Sequence, residues 1–419
     1  MRKKFIGFGL LRLFWNDFKR QRKRIMLTIL ALSWGAMTII LLLSVGEGIG
    51  TQFIRGSRGL GEGIVILNGG QTRIPYQGFP KGRRISLTEE DVALLEERIP
   101  EIEFIGAEYD RGGNTIVYGK KTRTQRVNGV YPSFEFMRTH YSQRGGRFIH
   151  QLDMDLKRRV AFLGSSMKKQ LFGDEEAVGK TILINDIPFV VVGVMIKKLQ
   201  TSMYGGPDED RVVIPASTFK TMFGHRYVNR IIYKPADAAL ARRVERKVYE
   251  VLGAKYRFDP KDTQALRLWD VIENEKIFEK ILLGMKLFMM IIGVLTLIVG
   301  GVGVANIMYI AVRQRTREVG IKMALGAKRR HIMSQFLSEA LLIVAAGGLG
   351  GLFPALLLIS VMRIIPAQGM VWDYFGHPVF TLEIAMVTVI VLSAIGILAG
   401  FFPARKASRL NPIESLRYE

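Results

Sequence analysis

Charged side chains are absent from four stretches of the chain, residues 25–45, 287–312, 340–362 and 384–402. A helix needs roughly 20 apolar residues to cross ~30 Å of hydrocarbon, so each stretch predicts a transmembrane helix. The long segment between the first two is patterned differently. Residues 63–67, 102–107, 115–118, 123–130, 160–163 and 211–214 place apolar side chains between turn residues as strands do, and 181–194 reads as a hairpin. Thr88 followed by Glu89, Glu90 and Asp91 predicts a capped helix to Arg98, with Val92, Leu95 and Ile99 on one face. Residues 165–172 and 236–252 carry helical spacing, and a charged helix is predicted from Trp269 to Lys286, running unbroken into the second span. The first span extends in the same way over 47–58, where Gly46, Gly48, Gly50 and Gly56 lower helix propensity. The fold class is an α-helical membrane protein with four transmembrane helices and a large extracytoplasmic mixed α+β domain inserted between helices 1 and 2.

Basic residues set the expected orientation, because Lys and Arg cross a bilayer poorly and stay on the cytoplasmic side. The first apolar stretch exceeds the roughly 7–15 residues of a secretory signal and no small-residue cleavage site follows it, so it reads as an uncleaved anchor. Its basic flank, 19–24, holds the N-terminus in the cytoplasm. The expected layout is a basic cytoplasmic N-terminal segment (1–24), helix 1 (25–47), the extracytoplasmic domain with stalk helices (48–280) and helix 2 (281–312). A cytoplasmic segment (313–335), helix 3 (336–362), a short external loop (363–383), helix 4 (384–403) and a cytoplasmic tail (404–419) complete it.

The connection between the second and third spans reads RQRTREVGIKMALGAKRR over 313–330, with Glu318 as its one acid. Val319, Met323 and Ala327 recur every four residues, with Ile321, Ala324 and Leu325 beside them, so a short helix presenting a docking face is one reading. A basic linker that only fixes topology is the other.

Composition narrows the chemistry. A formal net charge of +23 over 419 residues raises the question of nucleic acid, but the basic residues are dispersed and no nucleic-acid-binding signature accompanies them. Attraction to anionic lipid headgroups is the simpler reading, and no nucleic-acid partner is expected. With no cysteine, disulfides, thiolate metal sites and thiol nucleophiles are excluded. The five histidines show no metal-ligand spacing. Gly173 and the Gly179–Lys180–Thr181 run have five intervening residues where a phosphate-binding loop has four, and acids among them would repel phosphate. No catalytic residue and no metal site are assigned.

Small residues stand four apart in the spans: Ala31 and Gly35, Gly301 and Ala305, Gly347 and Gly351, Gly396 and Gly400. Such pairs let helices approach closely, either within this chain or across a dimer interface. Asn306 and Glu339 are polar positions near the inner ends of spans, where snorkelling or mutual hydrogen bonding is expected.

These residues together resemble the MacB and FtsX superfamily of ABC-transporter permeases over nearly the whole chain. RTREVGIKMALGA at 315–327 is similar to that family's coupling segment, preceded by a fitting GGVGVANIM at 300–308, and FPARKASRLNPIESLRYE at 402–419 is similar to its ending. GRF at 146–148, VAFLG at 160–164, LFG at 171–173, VGKTI at 178–182 and VVGVM at 191–195 resemble its periplasmic core domain. The resemblance implies a bacterial inner-membrane permease with both termini cytoplasmic, which dimerises and binds a pair of cytoplasmic ATPase subunits. The implied ATPase-coupling residues are Arg317, Glu318, Gly320, Ile321, Ala324, Gly326 and Ala327. The macrolide exporter of the family carries an N-terminal ATPase domain. This chain has only 24 residues before its first span, so ATP and magnesium are expected on a separate partner, with no cofactor bound here.

The function expected is ATP-driven motion of the outer domain in efflux of a drug, peptide or similar substrate, with a periplasmic adaptor as a candidate partner. The alternatives are a lipoprotein-release permease, a non-transporting transducer that activates a periplasmic hydrolase, and a basic lipid-binding scaffold.

Overall fold

The computed structural model describes residues 22–365 and 375–411. Most of the basic N-terminal segment, residues 366–374 of the short loop after the third span and the end of the C-terminal motif lie outside the described residues. The chain forms two compact units, one built from residues up to Gln52 and from Lys280 onward, the other from Phe53–Glu279.

Among the described residues the first unit holds four helices long and apolar enough to cross a membrane: α1 (Arg22–Arg58), α8 (Val271–Gln314), α10 (Arg329–Ile364) and α11 (Leu382–Ser408). α1 and α8 continue beyond this unit into the second. Leu32, Ala36, Ile39 and Ile40 of α1 pack with Leu297 and Val304 of α8 and with Ile343, Val344 and Ala355 of α10. No more than 39% of any span's apolar window is buried within the chain, so most of that surface is left for lipid or another chain. α1 stays helical to Arg58 despite its glycines. A Cβ at Gly48 would lie 2.3 Å from the His377 carbonyl oxygen, so close packing rather than chain termination accounts for that residue.

The inserted unit is a nine-stranded mixed sheet decorated by helices. In chain order its elements are β1 (Val65–Gly69), α2 (Glu89–Arg98), β2 (Ile102–Tyr118), β3 (Lys121–Val130), α3 (Phe134–Met137), α4 (Gln151–Asp155), β4 (Val160–Leu163) and α5 (Ser165–Phe172). Then follow β5 (Thr181–Ile184), β6 (Ile187–Val194), β7 (Val212–Pro215), α6 (Ala216–Phe223), β8 (Arg230–Pro235), α7 (Ala241–Tyr256) and β9 (Leu266–Asp270). The strand order is β3-β7-β4-β6-β5-β2-β8-β1-β9, and β2 also pairs with β3, which closes six of the strands into a ring. The strands predicted at 102–107 and 115–118 are one strand. Gly112 and Gly113 read as a turn in the sequence, but they form an irregularity at which β2 bends while its pairing resumes beyond Arg111.

The helix expected from Trp269 starts later. Trp269 and Asp270 end β9, paired with Ile66 and Val65, and the Asp270 carboxylate then accepts from the Ile272 and Glu273 amides at 2.8 and 3.2 Å, capping α8. α7 begins at Ala241 rather than 236 and turns Val244, Val248 and Leu252 into the main core with Leu95, Ile231 and Phe258. That core fills one side of the sheet, and a smaller cluster of Leu60, Ile64, Phe134, Phe148, Phe162 and Met195 fills another.

Candidate functional site

The connection between the second and third spans folds as a separate short helix. α8 stops at Gln314, Arg315 leaves helical geometry, and α9 (Thr316–Ala324) follows. The Thr316 hydroxyl donates to the Val312 carbonyl at 3.0 Å across this break. α9 ends in a Schellman turn: the Gly326 amide donates to Met323 and the Ala327 amide to Lys322, at 3.0 and 2.9 Å. Gly326 sits at φ +95°, where only glycine is unstrained.

The helix has two faces. Val319 belongs to the core of the span unit, and Met323 and Ala327 pack against that core. Arg317, Glu318, Ile321, Ala324 and Leu325 occupy the opposite face and are exposed, Leu325 to 84%. The four-residue repeat in the sequence therefore marks the inward face, while the outward face is spaced i, i+1, i+4, i+7, i+8. Of the seven expected coupling residues, Arg317, Glu318, Ile321, Ala324 and Gly326 are exposed, Ala327 is half-buried and Gly320 is buried on the inward face. Leu325, absent from that set, is the most exposed large apolar side chain in the described residues, and its i+4 relation to Ile321 was the available signal.

A buried ion pair fixes this helix to the third span. Arg315 donates to both carboxylate oxygens of Glu339 at 2.9 and 3.1 Å, and both residues are at most 9% exposed. The Gln335 amide donates to Glu339 at 3.4 Å and accepts from Lys322 of α9 at 3.3 Å. Glu339 is thus held by Arg315 and Gln335, whereas Asn306 is exposed.

The small residues of the spans serve contacts within the chain. Gly347 and Gly351 face α1, Gly396 and Gly400 face α10, Gly301 faces Ile395, and Gly35 faces Leu297. Ala305 is half-buried and Ala31 exposed. A Cβ on Gly351 would sit 2.4 Å from the Ser33 carbonyl oxygen and 2.9 Å from the Met37 amide nitrogen. Ala for Gly in a helix ordinarily stabilises by about 1 kcal/mol, but this backbone cannot yield, and overpacking costs about 1–3 kcal/mol or more. Gly351→Ala is therefore expected to lower the thermal unfolding temperature of the detergent-purified chain, and a rise would refute this close approach.

The inserted unit contains a buried ionic cluster that the sequence did not reveal. Arg138, entirely buried, donates to both Asp208 oxygens at 2.8 and 2.9 Å and to the Leu60 carbonyl at 2.5 Å. Lys198 and His140 also meet Asp208, at 2.8 and 3.2 Å. Arg138, Arg211 and Arg230 all lie against the Tyr204 ring, whose hydroxyl donates to Glu108 at 2.7 Å. Burial alone would raise the Asp208 carboxyl, yet the charges of Arg138 and Lys198 and the His140 bond outweigh it and hold the group well below the usual carboxylate range. Burial, aided by the Lys198 charge, pushes His140 down to about 4, and burial pushes Lys198 down to about 8. His140 is thus a core imidazole. Among the described residues no group of three metal-ligating side chains converges. The Gly173–Lys180 segment is the turn into β5, with Lys180 bonded to Glu175.

The MacB-like periplasmic core domain model matches residues 25–251, and the FtsX-like permease C-terminal model matches 290–412. The macrolide export ATP-binding/permease protein MacB of Bdellovibrio bacteriovorus is 30% identical over 94% of this chain and 59% of its own length. The pyoverdine export ATP-binding/permease protein PvdT of Pseudomonas syringae pv. syringae is 32% identical over 98% of this chain and 60% of its own length. The chain therefore spans about three fifths of the length of these relatives. The crystal structure of the periplasmic region of MacB from Actinobacillus actinomycetemcomitans aligns with a TM-score of 0.42 at 21% identity, covering 53% of this chain and 95% of that one.

Proposed function

This chain belongs to the family of permeases that join a MacB-like periplasmic core domain to an FtsX-like permease C-terminal, and from that premise we propose that it is the membrane subunit of an ATP-driven exporter. A cytoplasmic ABC ATPase docks on the outward face of α9, and its nucleotide cycle moves the inserted domain. ATP and magnesium sit on that ATPase, and this chain carries no catalytic site or cofactor of its own. The chain works as a homodimer in the bacterial inner membrane, with both termini cytoplasmic, and the inserted domain delivers substrate on the far side with a periplasmic adaptor. The export activities named for the MacB and PvdT relatives support this class over a passive scaffold.

The observation that carries the reading is the construction of α9. Its inner face is locked to the spans by Val319 and, through Arg315, by Glu339, while Ile321, Ala324 and Leu325 remain exposed beside Arg317 and Glu318. A rigidly held apolar patch with a charged rim is the anatomy of a protein contact. The long helices support transmission of the motion. α8, with 44 residues, is about 66 Å long, roughly twice the hydrocarbon thickness. α1 and α8 are paired in both units, by Lys286 with Glu47 at 2.5 Å in one and by Phe53 against Phe278 at 4.1 Å in the other.

A photo-crosslinking residue placed at Leu325 in the chain expressed in its own cells is expected to capture a protein bearing a nucleotide-binding P-loop. Ile321→Arg in the same chain should abolish that adduct. Capture of lipid alone, or an adduct that Ile321→Arg leaves unchanged, refutes ATPase docking at this face.

A further inference from the structure

At the end of β1 opposite the stalk helices, the chain forms a hairpin over residues 71–84 that folds beside the start of β9 and encloses an open cleft of about 1020 Å³. Arg73, Lys81, Arg84 and Arg267 line this cleft together with Gln71 and Gln264, and no acid does. Among the described residues none of these four basic side chains has an ion-pair or hydrogen-bonding partner. Some other cations of the same unit are matched, Lys220 with Glu89, Lys247 with Glu101 and Lys255 with Asp91, and others, such as Arg144 and Arg246, stand singly on the surface; the cleft is the place where four converge. Asp262, beside the cleft, is buried and already accepts the Arg73, Ile74 and Gln264 amides at 2.5, 2.9 and 3.1 Å.

The cleft is built before any ligand arrives. Gln71 donates its side-chain amide to the Gly82 carbonyl at 2.8 Å, and Thr72 binds Arg83 through both its backbone and its hydroxyl. The Gly70 and Gln71 amides tie the hairpin to Ala265 and Gln264 at 2.9 Å. Cβ atoms on Gly69 and Gly70 would fall 2.1 Å from the carbonyl oxygens of Ile85 and Gln264, so the floor closes only over glycine. Arg83, next in sequence to Arg84, turns away to the Tyr256 and Arg257 carbonyls.

The four cationic side chains are exposed, but the backbone that carries them is fixed, so like charges stand side by side where a counter-charge would relieve them, and guanidinium groups bind carboxylate and phosphate through paired hydrogen bonds. The volume is that of a small-molecule site, and its polar, cationic lining selects against an apolar drug. We propose that this cleft binds a small multivalent oxyanion, a solute carrying two or more carboxylate or phosphate groups. The proposal is independent of ATPase docking at α9.

The test uses the intact chain in phosphatidylcholine nanodiscs, titrated calorimetrically with citrate and with pyrophosphate. Saturable one-to-one binding of at least one probe is expected, weakened about tenfold or more by Arg84→Gln with Arg267→Gln. The same charge loss at exposed positions outside the cleft, Arg144→Gln with Arg246→Gln, should leave it unchanged. No saturable binding of either probe at millimolar concentration overturns the proposal, as does an equal loss in the control pair. Phosphatidylglycerol vesicles form a third arm. If they bind through Arg84 and Arg267 while neither free solute does, the cleft is a lipid-headgroup contact and the solute assignment is wrong.

Discussion

Asp208→Ala is expected to cost the inserted unit about 3–5 kcal/mol, because it leaves buried positive charge without its partner. Arg138 is wholly buried, and Lys198 and Arg211 stand within 4 Å of the same carboxylate. The remaining carboxylates cannot take over: Glu108 already meets Arg211 and Arg230, and Asp110 meets Arg126. Hydrogen exchange of the β4 and β7 amides in the intact chain measures the effect, and about 100-fold faster exchange or more is expected. Less than about tenfold would mean that water already solvates the cluster. The wild type should show the same weakness in acid. His140 is neutral in the fold, with its pKa at about 4 against an ordinary 6.5, so the unfolded chain takes the proton first. Its contribution is complete above pH 6.5 and is lost as the pH falls to 4, up to about 3 kcal/mol. Asp208 adds a loss of the same sign below its ordinary 3.8. Lys198, lowered to about 8, makes stability rise between pH 8 and 10.5. His140→Phe should flatten the limb between pH 6.5 and 4 and leave the alkaline limb in place.

Why this cluster escaped the sequence is a matter of separation. Arg138 and Asp208 stand 70 residues apart, and each by itself reads as a solvated loop charge. Only closure of the strand ring, with β7 lying between β3 and β4, brings their loops together. The four spans were legible because a bilayer imposes length and apolarity on contiguous residues. The hairpin of β5 and β6 and the capped helix α2 were legible because their signals are local: Asn185 and Asp186 at the turn, both at positive φ, and Asp91 bonding back to the Thr88 amide. β8 and β9 were not, since Arg230–Pro235 and Leu266–Asp270 are short and gain their strand identity from pairing with β1 and β2. In α9 the repeat at Val319, Met323 and Ala327 correctly announced a helix. Periodicity could not say which face looked outward, because the side packed against the spans and the exposed side both contain apolar residues. The Arg315–Glu339 pair shows the same limit: Glu339 stood out as a polar span residue, but its partner lay across the whole of α9.

That pair is where stability and the proposed coupling can be separated. Glu339→Ala is expected to lower the stability of the span unit by about 3–5 kcal/mol, since it removes the carboxylate whose two oxygens meet the buried Arg315 guanidinium and leaves a cavity in its place. Gln335, the other residue bonded to Glu339, can accept a hydrogen bond but supplies no charge. Arg315→Ala should be comparably damaging, leaving Glu339 buried and charged. Replacing both at once with apolar side chains of similar volume, Arg315→Met with Glu339→Leu, removes the desolvation cost along with the attraction, and such exchanges range from neutral to about 1–4 kcal/mol stabilising. The double variant is therefore expected to melt at or above the wild-type temperature in detergent, while either single variant melts well below it. Crosslinking from Leu325 gives the second readout. If the pair serves only to seat α9, the double variant keeps the wild-type adduct, because Val319 and Met323 still pack on the spans and the outward face is intact. If it melts normally but loses the adduct, the charges themselves orient α9, with Lys322 reaching Gln335 as the remaining polar link. A double variant as unstable as the single ones would contradict the burial of this pair, because a solvated ion pair gives apolar replacements no desolvation to recover.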